Sequence, residues 1–349
     1  MLEKLRVENF TVFDEADIRF SPGLNVIVGE NSTGKSLLMK LAYSCAWVSH
    51  AVGKGDRKTK DELQKALADK LKSVCMPDSL GRLVTRKQGR GRCEVEVGFF
   101  KGLADPFFFS FSSNSDKEVK LEGATPSVWL ESSPVFIPTK EILSVFPNFA
   151  ATLRERHLAF DETYLDLADS LGVASLRKLK KEEQTLRETL ELAMGGKVVL
   201  ENNKFYLLLD AEGKGSRIEM PLVAEGIRKI GLLTYLVMNG GLRDKSLLFW
   251  DEPEVNLNPK LIRNLAATLV SMSEKGVQIV LATHSLYLLR ELEIAKKLQE
   301  TKKNVRYIAL AQTDAGLKVS QADTIDEIDP IASLDANLEQ SSRYMELVS

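Results

Sequence analysis

Eight residues, Gly29-Glu30-Asn31-Ser32-Thr33-Gly34-Lys35-Ser36, constrain this chain more than any other stretch. They follow the apolar run Leu24–Val28 and precede the helix-compatible segment Lys35–Ser49. A strand, a G-x-x-x-x-G-K-S turn and a helix in that order form a phosphate-binding loop. The glycines let backbone N–H groups turn inward as an anion nest, and the helix N-terminus adds the positive end of its dipole. On this reading Gly29, Asn31, Ser32, Thr33, Gly34 and Leu37 line a nucleotide. Lys35 reaches its β- and γ-phosphates, and the Ser36 hydroxyl ligates Mg²⁺. Gly213-Lys214-Gly215-Ser216 holds similar residues at the wrong spacing, with no helix pattern behind it, and reads as a plain turn.

Two later segments complete a catalytic constellation. In Ser246-Leu247-Leu248-Phe249-Trp250-Asp251-Glu252-Pro253-Glu254 an apolar strand runs into carboxylates. At the C-terminal end of a buried strand, Asp251 can hold Mg²⁺ and Glu252 can polarise a water as general base. Val280-Leu281-Ala282-Thr283-His284-Ser285 ends another strand with a histidine at its tip, at the sheet edge where α/β folds bind ligands. His284 is there to sense or stabilise a γ-phosphate. The bland alternative makes Ser285 a helix N-cap and His284 a bystander. The other histidines, His50 and His157, fall in expected helices as packing or surface residues.

The rest of the chain organises around these motifs. Leu2–Asn9 and Ala16–Phe20 read as strands. Lys60–Lys72 carries Leu63, Leu67 and Leu71 at helical steps. Arg82–Phe100 reads as a hairpin with Gln88-Gly89-Arg90-Gly91 at its tip, and Pro106–Phe111, Val119–Leu121 and Ser127–Leu130 as short strands. Val135–Ile137 is a short buried strand, and 140–192 is mostly helical. Lys197–Leu200 and Phe205–Leu209 form a hairpin around Asn202-Asn203. Ile227–Met238 and Lys260–Ser273 are helices preceding the continuous apolar strands Leu247–Trp250 and Val277–Ala282, with Val305–Leu310 a further strand. The expected architecture is α/β, with a core split by about 170 inserted residues. Its parts are a core over 1–50 and 221–325, a basic helix and β-hairpin region over 51–133, and a lid-loop, helical-arm and hairpin region over 134–220. A tail follows over 326–349, with Asp323, Asp326, Glu327 and Asp329 as a solvated acidic cluster.

The order GENSTGKS, LLFWDEPE, ATHS, together with the start LEKLRVENFTVFDEADIRFSPGLNVIVGENSTGKS, resembles the ABC-type ATPases of the RecF/SMC group. It is similar above all to stand-alone ATPases grouped with the overcoming-lysogenization-defect (OLD) proteins. The resemblance covers residues 1–50 and about 220–310. It implies a P-loop NTPase head of ABC type, ATP and Mg²⁺ as cofactors, and a homodimer that sandwiches ATP. It also implies a signature motif facing the opposite subunit's ATP. The counterpart here is Val223-Ala224-Glu225-Gly226, where Ala224 stands in place of the usual serine and removes a hydroxyl from that site. Gly226 and the helix N-terminus remain as N–H donors, with Arg228 or Lys229 to assist. Asn256-Leu257-Asn258-Pro259 matches the dimer-contacting loop, and Thr139-Lys140-Glu141 takes the place of a lid loop that usually carries glutamine.

Composition narrows the partners. No apolar run approaches the roughly 18 residues of a membrane span. Cys45, Cys75 and Cys93 form no disulfide framework, which suits a reducing, cytoplasmic setting. About forty residues follow the last expected core strand, too few for the nuclease domain that OLD proteins often carry, so a separately encoded effector, a nuclease or toxin of an anti-phage defence complex, is the expected partner. The alternative is a RecF-like DNA-binding repair ATPase. Its support is the basic stretch 54–92, since residues 51–93 hold twelve Lys and Arg against five Asp and Glu. A transporter's ATPase subunit fits less well, given the altered signature and the long insert.

Overall fold

Within the computed structural model, residues 1–328, 340 and 343–346 are described, apart from positions 57, 88, 101–105, 157, 210–214, 300–304 and 315. Expectations for Gln88, His157, Gly213, Lys214, Asp329 and most of the tail lie outside the described residues.

Leu2–Phe10 (β1) and Phe13–Arg19 (β2) form a hairpin whose turn uses the left-handed backbone of Thr11 (φ 50°). In β2 the buried Phe13, Ala16 and Ile18 are interleaved with exposed acids, the pattern of a strand with one wet face. Leu24–Gly29 (β3) is apolar but for Asn25, buried as far as Val28, and delivers the chain to α1 (Lys35–Lys54). α2 (Lys60–Cys75) is capped by the Thr59 side chain, which accepts from Glu62 N.

Arg92–Phe99 (β4), Phe107–Ser112 (β5) and Lys120–Glu122 (β6) join the first hairpin in one antiparallel sheet, ordered β2-β1-β4-β5-β6. The hairpin expected over 82–100 does not form. Residues Leu80–Leu83 make a 3₁₀ turn, Val84 makes a single bridge to Phe10, and β4 pairs with β1 and β5. Cys93, Val95 and Val97 give β4 an apolar face to bury, whereas Arg86, Lys87 and Arg90 leave the preceding stretch nothing to pack. Nor is Ser127–Leu130 a strand. The Leu130 backbone is satisfied by side chains instead, donating to Ser49 Oγ (3.1 Å) and accepting from His50 Nδ1 (3.0 Å).

Val135–Ile137 (β7) precedes a helical stretch made of α3 (Phe149–Arg156), α4 (Glu162–Leu171) and α5 (Lys181–Met194). Lys197–Glu201 (β8) and Lys204–Leu209 (β9) turn at Asn202 and Asn203, both left-handed, and Ser216–Glu219 (β10) adds an edge strand. The chain continues through α6 (Glu225–Met238), β11 (Leu247–Asp251), α7 (Pro259–Glu274) and β12 (Gln278–Thr283). It then forms α8 (Leu286–Leu298), β13 (Arg306–Thr313) and β14 (Gly316–Ala322). The second large sheet is ordered β14-β13-β3-β12-β11-β7, parallel except for β14.

This sheet separates two apolar cores. Leu24, Val26, Leu248, Trp250, Ile279 and Leu281 pack with Ile230 of α6, Leu265 of α7 and Leu289 of α8. Ile27, Phe249, Val280 and Ala282 face α1, α2 and the antiparallel sheet. One buried amide fastens the two sheets together. Gln278 Oε1 accepts from Leu2 N (2.7 Å), and its Nε2 donates to Leu2 O (2.6 Å) and Ser21 O (2.8 Å). Among the described residues no helix is long and apolar enough to cross a membrane.

Candidate nucleotide site

The C-terminal ends of β3, β11 and β12 lie side by side, and the three sequence motifs meet there. The loop after β3 bends through Ser32 (φ 67°) and Gly34 (φ 87°). Gly34 is required twice, because a Cβ there would lie 2.7 Å from Val12 Cγ2 and 2.8 Å from Phe13 Cε2. Thr33 Oγ1 donates to Glu30 O (2.8 Å) and braces the loop from inside. Lys35 is buried and donates to Gly29 O (2.8 Å) and Glu30 O (2.7 Å). Burial pulls its pKa down, while Glu252 and Asp251 act the other way. Asn31 and Ser32 are exposed, Leu37 is half-buried, and no side chain caps α1, so its N-terminus is open to an anion.

Ser36 Oγ donates to Asp251 Oδ2 (2.7 Å), across 215 residues of sequence. Asp251 Oδ1 is buried with no hydrogen-bond partner. Burial raises the Asp251 pKa and the neighbouring Glu252 charge adds to it, against the Ser36 bond. A hydroxyl beside a buried, half-satisfied carboxylate is an oxygen-only donor set that fits Mg²⁺.

Glu252 has a left-handed backbone (φ 49°), fixed by its N–H bond to Ala282 O (3.0 Å). Its Oε2 lies 2.7 Å from His284 Nδ1, on the exposed tip of the β12 loop. Thr283 Oγ1 donates to a Glu254 carboxylate oxygen and accepts from Ser285 N (2.9 Å), while Ser285 caps α8 by accepting from Leu288 N (3.2 Å). Ser285 is therefore a helix cap, and His284 is at the same time in contact with the proposed base.

Residues 125–290 match the family described as AAA domain, putative AbiEii toxin, Type IV TA system, and residues 4–124 match a second AAA domain family. The Old nuclease of Escherichia phage P2 is 37% identical over 60 residues, 17% of this chain and 10% of that protein. The DNA replication and repair protein RecF of Limosilactobacillus fermentum is 30% identical over 97 residues, 28% of this chain and 23% of that one. The chain thus spans no more than about a quarter of the curated relatives it matches. Among solved structures, the Smc head bound to the C-winged helix domain of ScpA superposes with a TM-score of 0.56 at 14% identity, over 93% of this chain and 98% of that one. The Smc head with an extended coiled coil from Pyrococcus furiosus, bound to the C-terminal domain of ScpA, gives 0.53 at 13%, over 99% of both. Both halves of the chain thus match AAA-domain families, and its motif order and fold are those of an ABC-type head similar to the RecF/SMC/OLD-like ATPases.

In this RecF/SMC/OLD-like head, Ala224, Glu225 and Gly226 open α6, with Ala224 at the cap position and no capping side chain. Gly226 is pressed against the 256–257 loop, where a Cβ would lie 2.8 Å from Leu257 Cδ2 and 2.9 Å from Asn256 O. Arg228 and Lys229, expected to assist an opposing phosphate, turn inward instead. Arg228 donates to Val223 O (2.6 Å) and its Nε lies 2.6 Å from Glu141 Oε1, in the segment after β7. Lys229 is 2% exposed and donates to Val255 O (2.9 Å) and, more weakly, to Glu252 O (3.4 Å). Asn258 caps α7, accepting from Leu261 N (2.9 Å).

The head also shows what the motifs left out. Glu254 is buried, and its carboxyl is raised by that burial, with Glu252 pushing the same way against the Thr283 bond. Its sequence signal is a third carboxylate two residues after Asp251-Glu252. Lys229 is named by the sequence as a helper of an opposing phosphate, and only its burial shows the inward role it has here. The basic stretch loses much of its apparent charge. Lys70, Lys72, Lys87 and Arg92 pair respectively with Asp166, Asp116, Asp14 and Glu122, all outside it.

Proposed function

We propose that the chain is an ATP-hydrolysing head that closes on a second copy of itself around two ATP and, through that cycle, controls a separately encoded effector in the cytoplasm. The observation that carries this reading is the convergence of Ser36, Asp251, Glu252 and His284, with both key contacts at 2.7 Å. The phosphate loop and Lys35 bind the phosphates. Ser36 and Asp251 would hold Mg²⁺, which supplies charge neutralisation at the transferring phosphoryl group. Glu252 orients water and accepts its proton on a carboxylate oxygen, and His284 fixes the rotamer of that carboxylate. Ala224, Glu225 and Gly226 offer N–H groups to the partner's ATP. Without a serine hydroxyl there, turnover is slow.

The effector reading draws on the Old nuclease and AbiEii-toxin similarities and on the two Smc heads, each bound to a domain of another protein. On this reading the protein works in anti-phage defence, with a nuclease or toxin as effector. A RecF-like DNA-binding role is the second reading, favoured by the RecF match and weakened by the ion pairing of the basic stretch.

The decisive experiment compares wild type with Glu252→Gln by light scattering and phosphate release. A Glu252→Gln variant that gains mass with ATP and Mg²⁺ while phosphate release stops supports the proposal. Wild-type turnover in that variant would place the base elsewhere.

A further inference from the structure

Beside the proposed base stands a carboxylate that the reaction does not use. Glu254 is 7% exposed. One of its oxygens accepts from Thr283 Oγ1, and the other, Oε2, is buried with no hydrogen-bond partner. Among the described residues no ion pair reaches it: the two buried lysines that feel its charge, Lys35 and Lys229, spend their ammonium groups on the backbone carbonyls of Gly29, Glu30, Glu252 and Val255. Glu252, Glu254 and His284 each present one ligating atom, and these atoms all lie within 4.8 Å of one another. His284 Nδ1 and Glu252 Oε2 are already 2.7 Å apart.

We propose that Glu252, Glu254 and His284 form a binding site for a divalent transition metal, Zn²⁺ in the first instance, distinct from the Ser36–Asp251 magnesium position. Bonds of about 2.0–2.2 Å to nitrogen and carboxylate oxygen set neighbouring ligands roughly 3–4 Å apart, so only a small closure of the three side chains is needed. An imidazole among the donors favours Zn²⁺ over Mg²⁺, which takes oxygen ligands. Three protein ligands leave the fourth tetrahedral position to water, and the 52% exposed His284 side chain gives the ion a way in. The site is also braced as metal sites are. Thr283 holds Glu254 in place, and the Ala282 carbonyl fixes the backbone of Glu252. Soft ligands elsewhere compete poorly, since Cys45 and Cys93 are buried and burial pushes the Cys75 thiol up to about 12.

The consequence rests on the proposed function. A metal on the Glu252 carboxylate takes the lone pair that would accept the water's proton. Zn²⁺ therefore stops hydrolysis without displacing ATP, and a metal-loaded head stays in its ATP-bound state.

The test is a calorimetric titration of the full chain with Zn²⁺ alone, in nucleotide-free buffer, alongside the visible absorption of Co²⁺ in its place. One site per chain is expected, weakened at least tenfold by Glu254→Gln and by His284→Ala. His284 is half exposed, so its variant should fold, and circular dichroism checks this. No saturable Zn²⁺ binding, or binding unchanged in both folded ligand variants, overturns the site. Because no nucleotide is present, Zn²⁺ binding together with unimpaired turnover in Glu252→Gln would refute the proposed base and leave the metal site standing.

Discussion

Replacing Lys229 by methionine isolates the way the head holds its proposed base. Lys229 is a buried cation whose hydrogen bonds end on the backbone of residues 252 and 255, so it links α6 to the turn that carries Glu252. That turn puts a non-glycine residue at φ 49°. A left-handed backbone costs about 1–2 kcal/mol at such a residue and persists only when its surroundings impose it. Methionine fills similar volume, so packing is kept while both carbonyls lose their donor. If the turn relaxes by the strain it stores, the fraction of heads with Glu252 in place falls by a factor of about 5–30. The turnover number should fall by that factor while ATP affinity, set by the loop around Lys35, changes less than about twofold. Global stability should move little, because the lost hydrogen bonds are offset by no longer burying an ammonium. Steady-state phosphate release, nucleotide titration and thermal melting measure the three quantities. A Lys229→Met protein that melts normally and turns over within twofold of wild type would show that the base is held by something else. An equal loss in ATP affinity would show that Lys229 acts on binding.

Gly34→Ala should weaken ATP binding at least tenfold in a fluorescent-nucleotide titration, because its Cβ meets Phe13 at 2.8 Å in a left-handed backbone; unchanged affinity would mean the loop is not the nucleotide site. Glu254 carries a folded-state pKa raised to about 7, above the unfolded value of about 4.3. The folded protein therefore holds the extra proton between those values, and this contribution, full at the lower pH, is lost as pH rises through the window. Melting temperatures in Mg²⁺-free buffer should decline less steeply over this range in Glu254→Gln than in wild type, and parallel curves would contradict the assignment. For the DNA reading, Arg86 and Arg90 are exposed and are the residues to replace, since Lys87 and Arg92 are paired to Asp14 and Glu122. Binding that is insensitive to salt, or to Arg86→Ala with Arg90→Ala, would remove nucleic acid from the list of partners.

The central site was legible because its chemistry is written in short contiguous runs. A loop of fixed spacing and two apolar strands ending in Asp251-Glu252 and Thr283-His284 need only a parallel sheet to bring them together. What escaped notice depends on partners distant in sequence. β4 reads locally as half of a hairpin, yet its Val95 pairs with Val7 of β1 and with Phe109 of β5. β14 alternates weakly, with Leu317, Val319 and Gln321 among polar neighbours, and gains strand character by pairing with β13. β10 is similarly polar and exists as an edge of the small sheet. α8 follows the Thr283-His284 tip at once, and the sequence showed it only through the cap that Ser285 supplies. Glu254 is visible in the sequence as a third carboxylate beside the pair, but its weight, like that of Lys229, comes from burial, which the sequence does not display.

The placement of β3 bears on how the protein is made. Its two neighbours in the sheet are β12 and β13, and Leu24 lies opposite Ile279, 255 residues further on. β1 and β2 can pair as soon as they leave the ribosome, but Leu24-Asn25-Val26-Ile27-Val28 has no ladder partner until the last quarter of the described chain is synthesised. At about 5–20 residues per second, that strand waits roughly 13–50 s. An uncharged, β-prone segment left open that long is the part of the nascent chain most exposed to mispairing and most in need of a chaperone. The same delay means that a nascent chain carries its phosphate loop long before Asp251 and His284 exist to act on anything bound there.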